Sequence, residues 1–488
     1  MMDNKIVDVS EKQLKQYIEN GYNEDIVPKP VKDRNWTTKN FFTQWMGVIH
    51  NIPNYIAVLG FLLLGLKPVD VVIAIALAGI TTGVFFSLNG RAGAKYGIPF
   101  SMHLRSVYGV TGSKLPGFLR GVISATAWFG VQTYIGATVL TILISQIWPG
   151  YALIGGGAVI LGISVPDLIS FTIFWAANMV IGLSGGDILN KFTTILTPII
   201  HIVFAAMTVW AIRVGGGLGN IFATVLSEKK TVNPVFGYFV VIAAVIGVMA
   251  APGVSVGDFT RNAKSQKDQS NGQIIGLGLG YLVFGFMAVA VTVGGSIHFG
   301  VPSAGGGILD FVKQWDNVPT VVVTTLVFLL ITISTNAATN MVPAGLQLAS
   351  LFPKKINNRT GVLISGILGF LIQPWRLMAG ESGIMVFLNI IGALLGPIAG
   401  VMLTEYLIVK KEEIKLDDLY ADVKDSNAAS SYSGINIRAY IATLVGLAIS
   451  MSGNIIPVLQ PLSDIAWITG TISGAVIYLI LIKSMPKK

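Results

Sequence analysis

Apolar runs of about twenty residues recur twelve times along the chain, near 40–65, 69–89, 118–146, 166–184, 192–213, 235–256, 274–298, 318–346, 360–376, 382–409, 437–453 and 464–484. Twenty residues of α-helix rise about 30 Å, the thickness of a bilayer's hydrocarbon core, so the pattern predicts twelve membrane-crossing helices, numbered here spans 1 to 12. An even number puts both termini on one side. Residues 1–38, ahead of span 1, are polar and are expected to form a mostly mobile tail. Three spans break the apolar rule in their middles. Span 1 reads 41-FFTQWMGVIHNIPNYIAVLG-60, with Pro53 flanked by Asn51 and Asn54. The proline removes a backbone donor and clashes with the turn before it, and the flanking amides can bond the carbonyls it frees. Span 6 carries a second break at Pro252-Gly253, and span 8 holds Ser334, Thr335, Asn336, Thr339 and Asn340 within seven positions.

A single kink is common in membrane helices. Two interruptions five spans apart are the sequence sign of a transporter built from inverted repeats, with its binding site near the bilayer midplane. The polar patch of span 8 would then lie beside the break in span 1, where freed carbonyls and hydroxyls can share a cation. Hydrogen bonding between helices is the other use of such a patch.

Composition agrees with a membrane protein. The 488 residues are 53% hydrophobic and 12% charged, with a mean hydropathy of +0.70, against roughly 25% charged in a soluble domain. The net charge of +9 is no sign of a nucleic-acid partner, because the Lys and Arg sit in loops between spans. With the N-terminus inside, about 24 of them fall on the inner side and about six on the outer, which predicts both termini in the cytoplasm of a multi-pass inner or plasma membrane protein. Cys is absent, so there are no disulfides or thiolate metal sites. No cleavable signal pattern is present, and no GxGxxG, Walker, HExxH or GxSxG context supports an enzyme or a cofactor.

The candidate chemistry is that of binding. Ser334 and Thr335 are adjacent hydroxyls, oxygen ligands suited to a hard cation such as Na+. Asn340 offers an amide acceptor and two donors to a planar polar solute. In span 3, Trp128 and Gln132 are four residues apart and share a face. An indole there can stack on a flat heterocycle while the amide reads its edge. The alternative is a lipid-facing aromatic and a bond between helices. No Asp or Glu lies at the centre of a span; Asp167, Asp258 and Glu405 stand near ends. Proton-coupled carriers usually bury a carboxylate or His relay. His50, beside the break, is the titratable candidate or else a neutral packed imidazole, and His201 reads as structural. The balance favours Na+, with H+ kept open. In 258-DFTR-261, Asp258 can accept from freed backbone donors or pair with Arg261 as part of an inner gate. The loop 410-KKEEIKLDDLYADVKD-425 reads as a solvated connection.

Taken together, 45-WMGVIHNIPNY-55, 128-WFGVQT-133, 258-DFTR-261, 334-STNAATN-340, 394-LLGPIAGVMLTEYLIVK-410 and 416-LDDLY-420 resemble the nucleobase:cation symporter-1 family, which includes hydantoin, allantoin, uracil and cytosine permeases. The resemblance runs from about Trp36 to the last span. It implies an all-α, twelve-helix, leucine-transporter-like fold: an N-terminal tail to residue 38, inverted five-helix repeats over 39–213 and 235–409, spans 11 and 12 over 437–484, and a cytoplasmic end at 485–488. It implies a small planar solute carried with Na+ by alternating access; the chain is expected to sit in the lipid bilayer as a monomer. By the same resemblance Trp128 stacks on the solute, and Gln132, Asn340 and Asn51 bond it. Ser334 and Thr335 hold the cation with the backbone carbonyls of Gly47, His50 and Ile331. Met249 stands where hydantoin- and allantoin-type members place a second Trp, which leaves the solute open among a nucleobase, allantoin and a hydantoin. A same-fold carrier of an amino acid or quaternary amine, and a passive channel, are the competing readings.

Overall fold

The computed structural model describes residues 5–184, 186–226, 233–300, 307–352, 354–378, 383–421 and 430–484, the side chains of 186–194 excepted. The expected C-terminal stretch 485–488 and residues 422–425 of the charged loop lie outside these. Among the described residues, nine helices are each long and apolar enough to cross a membrane, and eleven when two bent pairs count as one span each. The bent pairs are span 1, Thr38–Ile49 and Ile52–Leu63 at 60°, and span 11. Span 9 is the short one. Its helix Asn358–Leu371 has 14 residues and rises about 21 Å, so it leans on span 3 and on the end of span 8.

Spans 3 and 8 run Lys114–Ile147 and Val318–Leu351, each longer than its apolar run. Each contains a π-turn, Leu119–Ser124 in span 3 and Ala337–Met341 in span 8. A π-turn inserts an extra residue into one helical turn and shifts the register of everything after it, and such turns recur at functional sites. The two spans pack against each other. They close tightly near residue 121, where a Cβ in place of glycine would run into the Gln347 side chain.

Span 6 departs from expectation. Pro234–Val254 is one helix with Pro252 inside it, and the chain leaves the helix only at Ser255, before the short turn Gly257–Thr260. A proline this close to a helix end costs one hydrogen bond, to the carbonyl of Val248. The carbonyls exposed where the helix ends are capped by side chains instead. Asn89 Nδ2 of span 2 donates to Gly253 and Val254 at 2.8 and 2.9 Å. Arg120 Nε of span 3 donates to Ala251 at 2.6 Å.

The N-terminal segment is not a mobile tail. Residues Glu11–Glu19 form a helix opened by a Ser10–Gln13 capping box. Tyr17, Tyr22 and Ile26 are buried against Tyr406, Leu419, Tyr420 and Tyr432, from the end of span 10 and the segment after it. The Tyr17 ring stacks on Tyr420 with centroids 4.6 Å apart, and its hydroxyl donates to Asp417 at 2.6 Å. The 410–421 segment is accordingly a packed cover rather than a solvated loop. Glu412 takes two hydrogen bonds of 2.8 Å from Arg91, and both side chains are buried. Mixed charges read as solvated in sequence because their partners lie some three hundred residues away.

Breaking one side of that buried pair leaves the other charge without compensation. Glu412→Ala is expected to cost about 3–5 kcal/mol, read as a lower melting temperature of the purified protein. An unchanged melting temperature would show that the pair carries no weight.

Candidate functional site

The break in span 1 is best followed carbonyl by carbonyl. In an unbroken helix the carbonyls of Gly47, Val48, Ile49 and His50 would accept from residues 51 to 54 in turn. Residue 53 is proline and has no N–H. The Asn51 N–H turns instead to the Ile49 carbonyl at 2.9 Å, and the Asn54 N–H goes to Asn51 Oδ1 at 3.0 Å. Two side-chain amides then stand in for the missing donors. Asn51 Nδ2 donates to Val48 O at 2.8 Å, and Asn54 Nδ2 to Ile49 O at 2.7 Å. Gly47 and His50 are therefore the carbonyls whose helical donors have gone elsewhere. Span 8 packs against this half of span 1, and Ile331, Ser334 and Thr335 are buried in it. The arrangement has the chemistry of a hard-cation site: neutral oxygens, low water access and no carboxylate among the residues named. Among the described residues no His, Cys, Asp and Glu group could hold a metal ion.

Asn51, Trp128, Gln132, Met249, Thr335 and Asn340 line a single cavity with Val48, Val248, Pro252 and Thr339. Of the residues expected at the site, Ser334, Gly47, His50 and Ile331 are buried beside this cavity's elements but do not line it, and Asp258 and Arg261 stand outside it. The space is about 10 Å³, enough for one water. Seating a ring therefore requires the walls to give way. Met249, unbranched and soft, is one such wall. Phe387 of span 10 does not line the cavity but packs on Trp128; its ring meets the indole edge-on, centroids 4.8 Å apart at 78°. Trp128 Nε1 and Gln132 Oε1 are buried without hydrogen-bond partners, so this cavity offers one unspent donor and one unspent acceptor.

Asn340 is held in place by a buried relay that sequence reading missed. Its Nδ2 donates to Asn336 Oδ1 at 2.9 Å. Asn336 Nδ2 in turn reaches Asn178 Oδ1 of span 4 at 3.1 Å and Thr133 Oγ1 of span 3 at 3.3 Å. The signal was present as a second Asn in the span 8 patch, but its partners lie on other spans. Asn51 lines the cavity while spending both ends of its amide on capping span 1. A larger open cavity of about 670 Å³ lies among Trp210, His298, Trp315 and Thr320 at the start of span 8. It contains none of the expected site residues, and its rim is exposed.

Of the two arrangements expected for Asp258, the pair with Arg261 is not formed and the bond from a backbone donor is. Arg261 donates to the carbonyls of Asp25 and Val27 at 2.6 and 2.8 Å, which straps the N-terminal segment to the end of span 6. Asp258 Oδ1 accepts from the Phe100 N–H at 2.9 Å. Local sequence put the two charges three residues apart, yet each is claimed by backbone from another part of the chain. Arg120, counted as a loop charge in the sequence, is buried inside span 3.

A bent membrane helix, carbonyls freed at its break and a closed polar-lined cavity beside them define a multi-pass membrane transporter, not an enzyme. Residues 28–470 match the family described as permeases for cytosine/purines, uracil, thiamine and allantoin, and the chain belongs to that family of nucleobase-type transporters. It is 44% identical to a putative allantoin permease of Escherichia coli strain K12, over 97% of each chain. It is 37% identical to the allantoin permease of Bacillus subtilis strain 168, over 95% of this chain and 94% of that one. Its twelve-helix, leucine-transporter-like fold matches that of Mhp1, a nucleobase-cation-symport-1 family transporter solved in a closed conformation with bromovinylhydantoin bound. The TM-score is 0.77 at 23% identity, covering 94% of this chain and 95% of that one.

Asp258 lies just past span 6. Burial pushes its carboxyl from 3.8 up to about 6, against the opposing pull of the Phe100 N–H, Arg120 and Arg261. Between those two values the folded protein holds a proton that the unfolded chain has released, so stability falls as pH rises through that window. Asp258→Asn keeps an acceptor for Phe100 and removes the charge. Its melting temperature should be higher than the parent's at pH 7 and flatter across the window; parallel curves for the two proteins would refute this.

Proposed function

We propose that this chain is a secondary active symporter that imports a small planar ureide, allantoin first among the candidates, together with Na+ by alternating access. The observation that carries this reading is the unspent Gln132 Oε1 acceptor, one helical turn from the Trp128 indole in the lining of the same cavity. A cyclic urea or amide presents an N–H along one edge, which the Gln132 amide oxygen can accept, and a flat face that can lie on the indole. Two relatives that cover nearly the whole chain carry the allantoin name. Met249 in the wall favours a compact ring over an aryl-bearing hydantoin.

Na+ is supported by the oxygens around the span 1 break: Ser334, Thr335, and the carbonyls of Gly47, His50 and Ile331. Thr335 lines the solute cavity as well, so one residue serves both sites. Each ligand then stabilises the geometry the other needs, and each raises the other's affinity by the same factor. The Lys and Arg bias supports both termini in the cytoplasm, and the proposed working unit is a monomer.

One observation favours H+ as a second reading. The His50 and His201 rings lie 4.7 Å apart, and the Nε2 of each is buried without a partner. The two readings separate in proteoliposomes loaded with labelled allantoin, uracil or hydantoin under a Na+ gradient or a pH gradient alone. Uptake that follows only the pH gradient reassigns the ion to His50.

Stacking on an aromatic ring is worth about 1–3 kcal/mol, so Trp128→Ala should raise the half-saturating solute concentration by about tenfold or more. If every transported base and ureide keeps its affinity, the stacking role is wrong. Thr335→Ala should raise the half-saturating Na+ concentration and, through the shared geometry, that of the solute. A change in one without the other would contradict the coupling.

A further inference from the structure

Arg120 is fully buried in the π-turn of span 3. Its Nε donates to the Ala251 carbonyl at 2.6 Å and to Ser255 Oγ at 3.2 Å, and its Nη2 to the Thr339 carbonyl at 3.1 Å. These acceptors frame the solute cavity, since Thr339 lines it and so does Pro252, next to Ala251. One guanidinium therefore ties span 3, the last turn of span 6 and the π-turn of span 8 together at the cavity's edge. This is the side that leads to Asp258, Arg261 and the N-terminal strap. Two atoms are left over. Arg120 Nη1 and Asp258 Oδ2 are both buried without a hydrogen-bond partner, and unspent groups of that kind call for an explanation. Each is what the other lacks, a charged donor and a charged acceptor.

We propose that Arg120 is the latch on the N-terminal side of the solute site, and that its guanidinium has a second partner in Asp258. In the arrangement described, the latch holds the Ala251 and Thr339 carbonyls and keeps spans 3, 6 and 8 shut around the cavity. When the end of span 6 moves away, those bonds break and the guanidinium passes to the Asp258 carboxylate. A buried charge thus always has an acceptor, which keeps the open arrangement within reach. The role calls for arginine. A planar fork of donors can hold two carbonyls on different helices at once, whereas the lysine ammonium is a single point charge on a flexible stem. Arg120 acts here as a positioning residue, through the helices it joins.

The latch rests on reading the cavity as a solute site, but its test uses no solute. The chain has no cysteine, so Ser124→Cys supplies a sole thiol. Ser124 closes the same π-turn, is fully buried, and stands four residues from both Arg120 and Trp128. The rate at which a small water-soluble maleimide labels it in purified protein reports how often water reaches this face of span 3. In that background Arg120→Gln should speed labelling by about tenfold or more, the effect of losing charge-assisted hydrogen bonds from the closed arrangement. Arg120→Lys should speed it in the same direction, and Asp258→Asn, which removes the second partner, should slow it. Labelling at the parent's rate in both Arg120 variants overturns the latch, as does Asp258→Asn speeding labelling as Arg120→Gln does. Should Arg120→Gln fail to fold, Arg120→Lys decides alone. If labelling shifts as expected while no ureide is bound, the latch stands and the solute assignment falls. If ureide uptake is intact and labelling does not shift, the latch alone falls.

Discussion

Within hydrocarbon a backbone carbonyl that loses its donor has no water to turn to, so a proline in the middle of a membrane helix creates a debt that some side chain or ligand must meet. In span 1 that debt is met halfway. Asn51 and Asn54 cap the carbonyls of Val48 and Ile49, and those of Gly47 and His50 have lost their helical donors. The bend of 60° is the geometric consequence. The proposed cation site rests on which two carbonyls were capped and which were not.

The same accounting explains how the rest of the site is held. Span 6 ends next to the cavity, and its terminal carbonyls are claimed by Asn89 and Arg120 rather than by a continuing helix. Span 8 widens into a π-turn beside Thr339 and Asn340, and the Asn336 relay anchors that turn to spans 3 and 4. Several polar side chains around the cavity, Asn51, Asn54, Asn89 and Arg120 among them, cap helix carbonyls. The few that are left with unspent atoms in the cavity, Trp128 and Gln132, are the ones available to a solute. A site assembled this way is rigid where its caps are fixed and yielding where apolar walls such as Val248 and Met249 close it.

Closure at the N-terminal side is built from distant pieces of chain. The strap around Tyr17 to Val27 meets the end of span 6 through Arg261, and meets the segment after span 10 through the Tyr17–Tyr420 stack. Beneath it the Arg91–Glu412 pair joins the end of span 2 to that same segment. Any movement that opens the cavity toward this side must carry the strap with it or break these contacts, which couples the soluble-looking end of the chain to events among the spans.

Much of the architecture was legible in the sequence, because hydrophobic length is a property of a single segment and a proline acts on its own helix. Most of the spans, the break in span 1 and the helices that share the cavity could be read from runs of residues and their spacing. Trp128 and Gln132 could be placed on one face for the same reason. What sequence could not show was decided by partners far apart along the chain. The charge of Arg120 looked like a loop residue until a π-turn drew it between spans 6 and 8. Pro252 looked like a break until Asn89 and Arg120 supplied caps that let the helix run on to Val254. Asp258 and Arg261 looked like a pair until Phe100 and the N-terminal carbonyls claimed them. The polar tail and the charged loop looked solvated until they were seen to bury each other's tyrosines. A helix declares itself through local periodicity, but the partner of a buried polar group is chosen by packing, and packing exists only once the chain has folded.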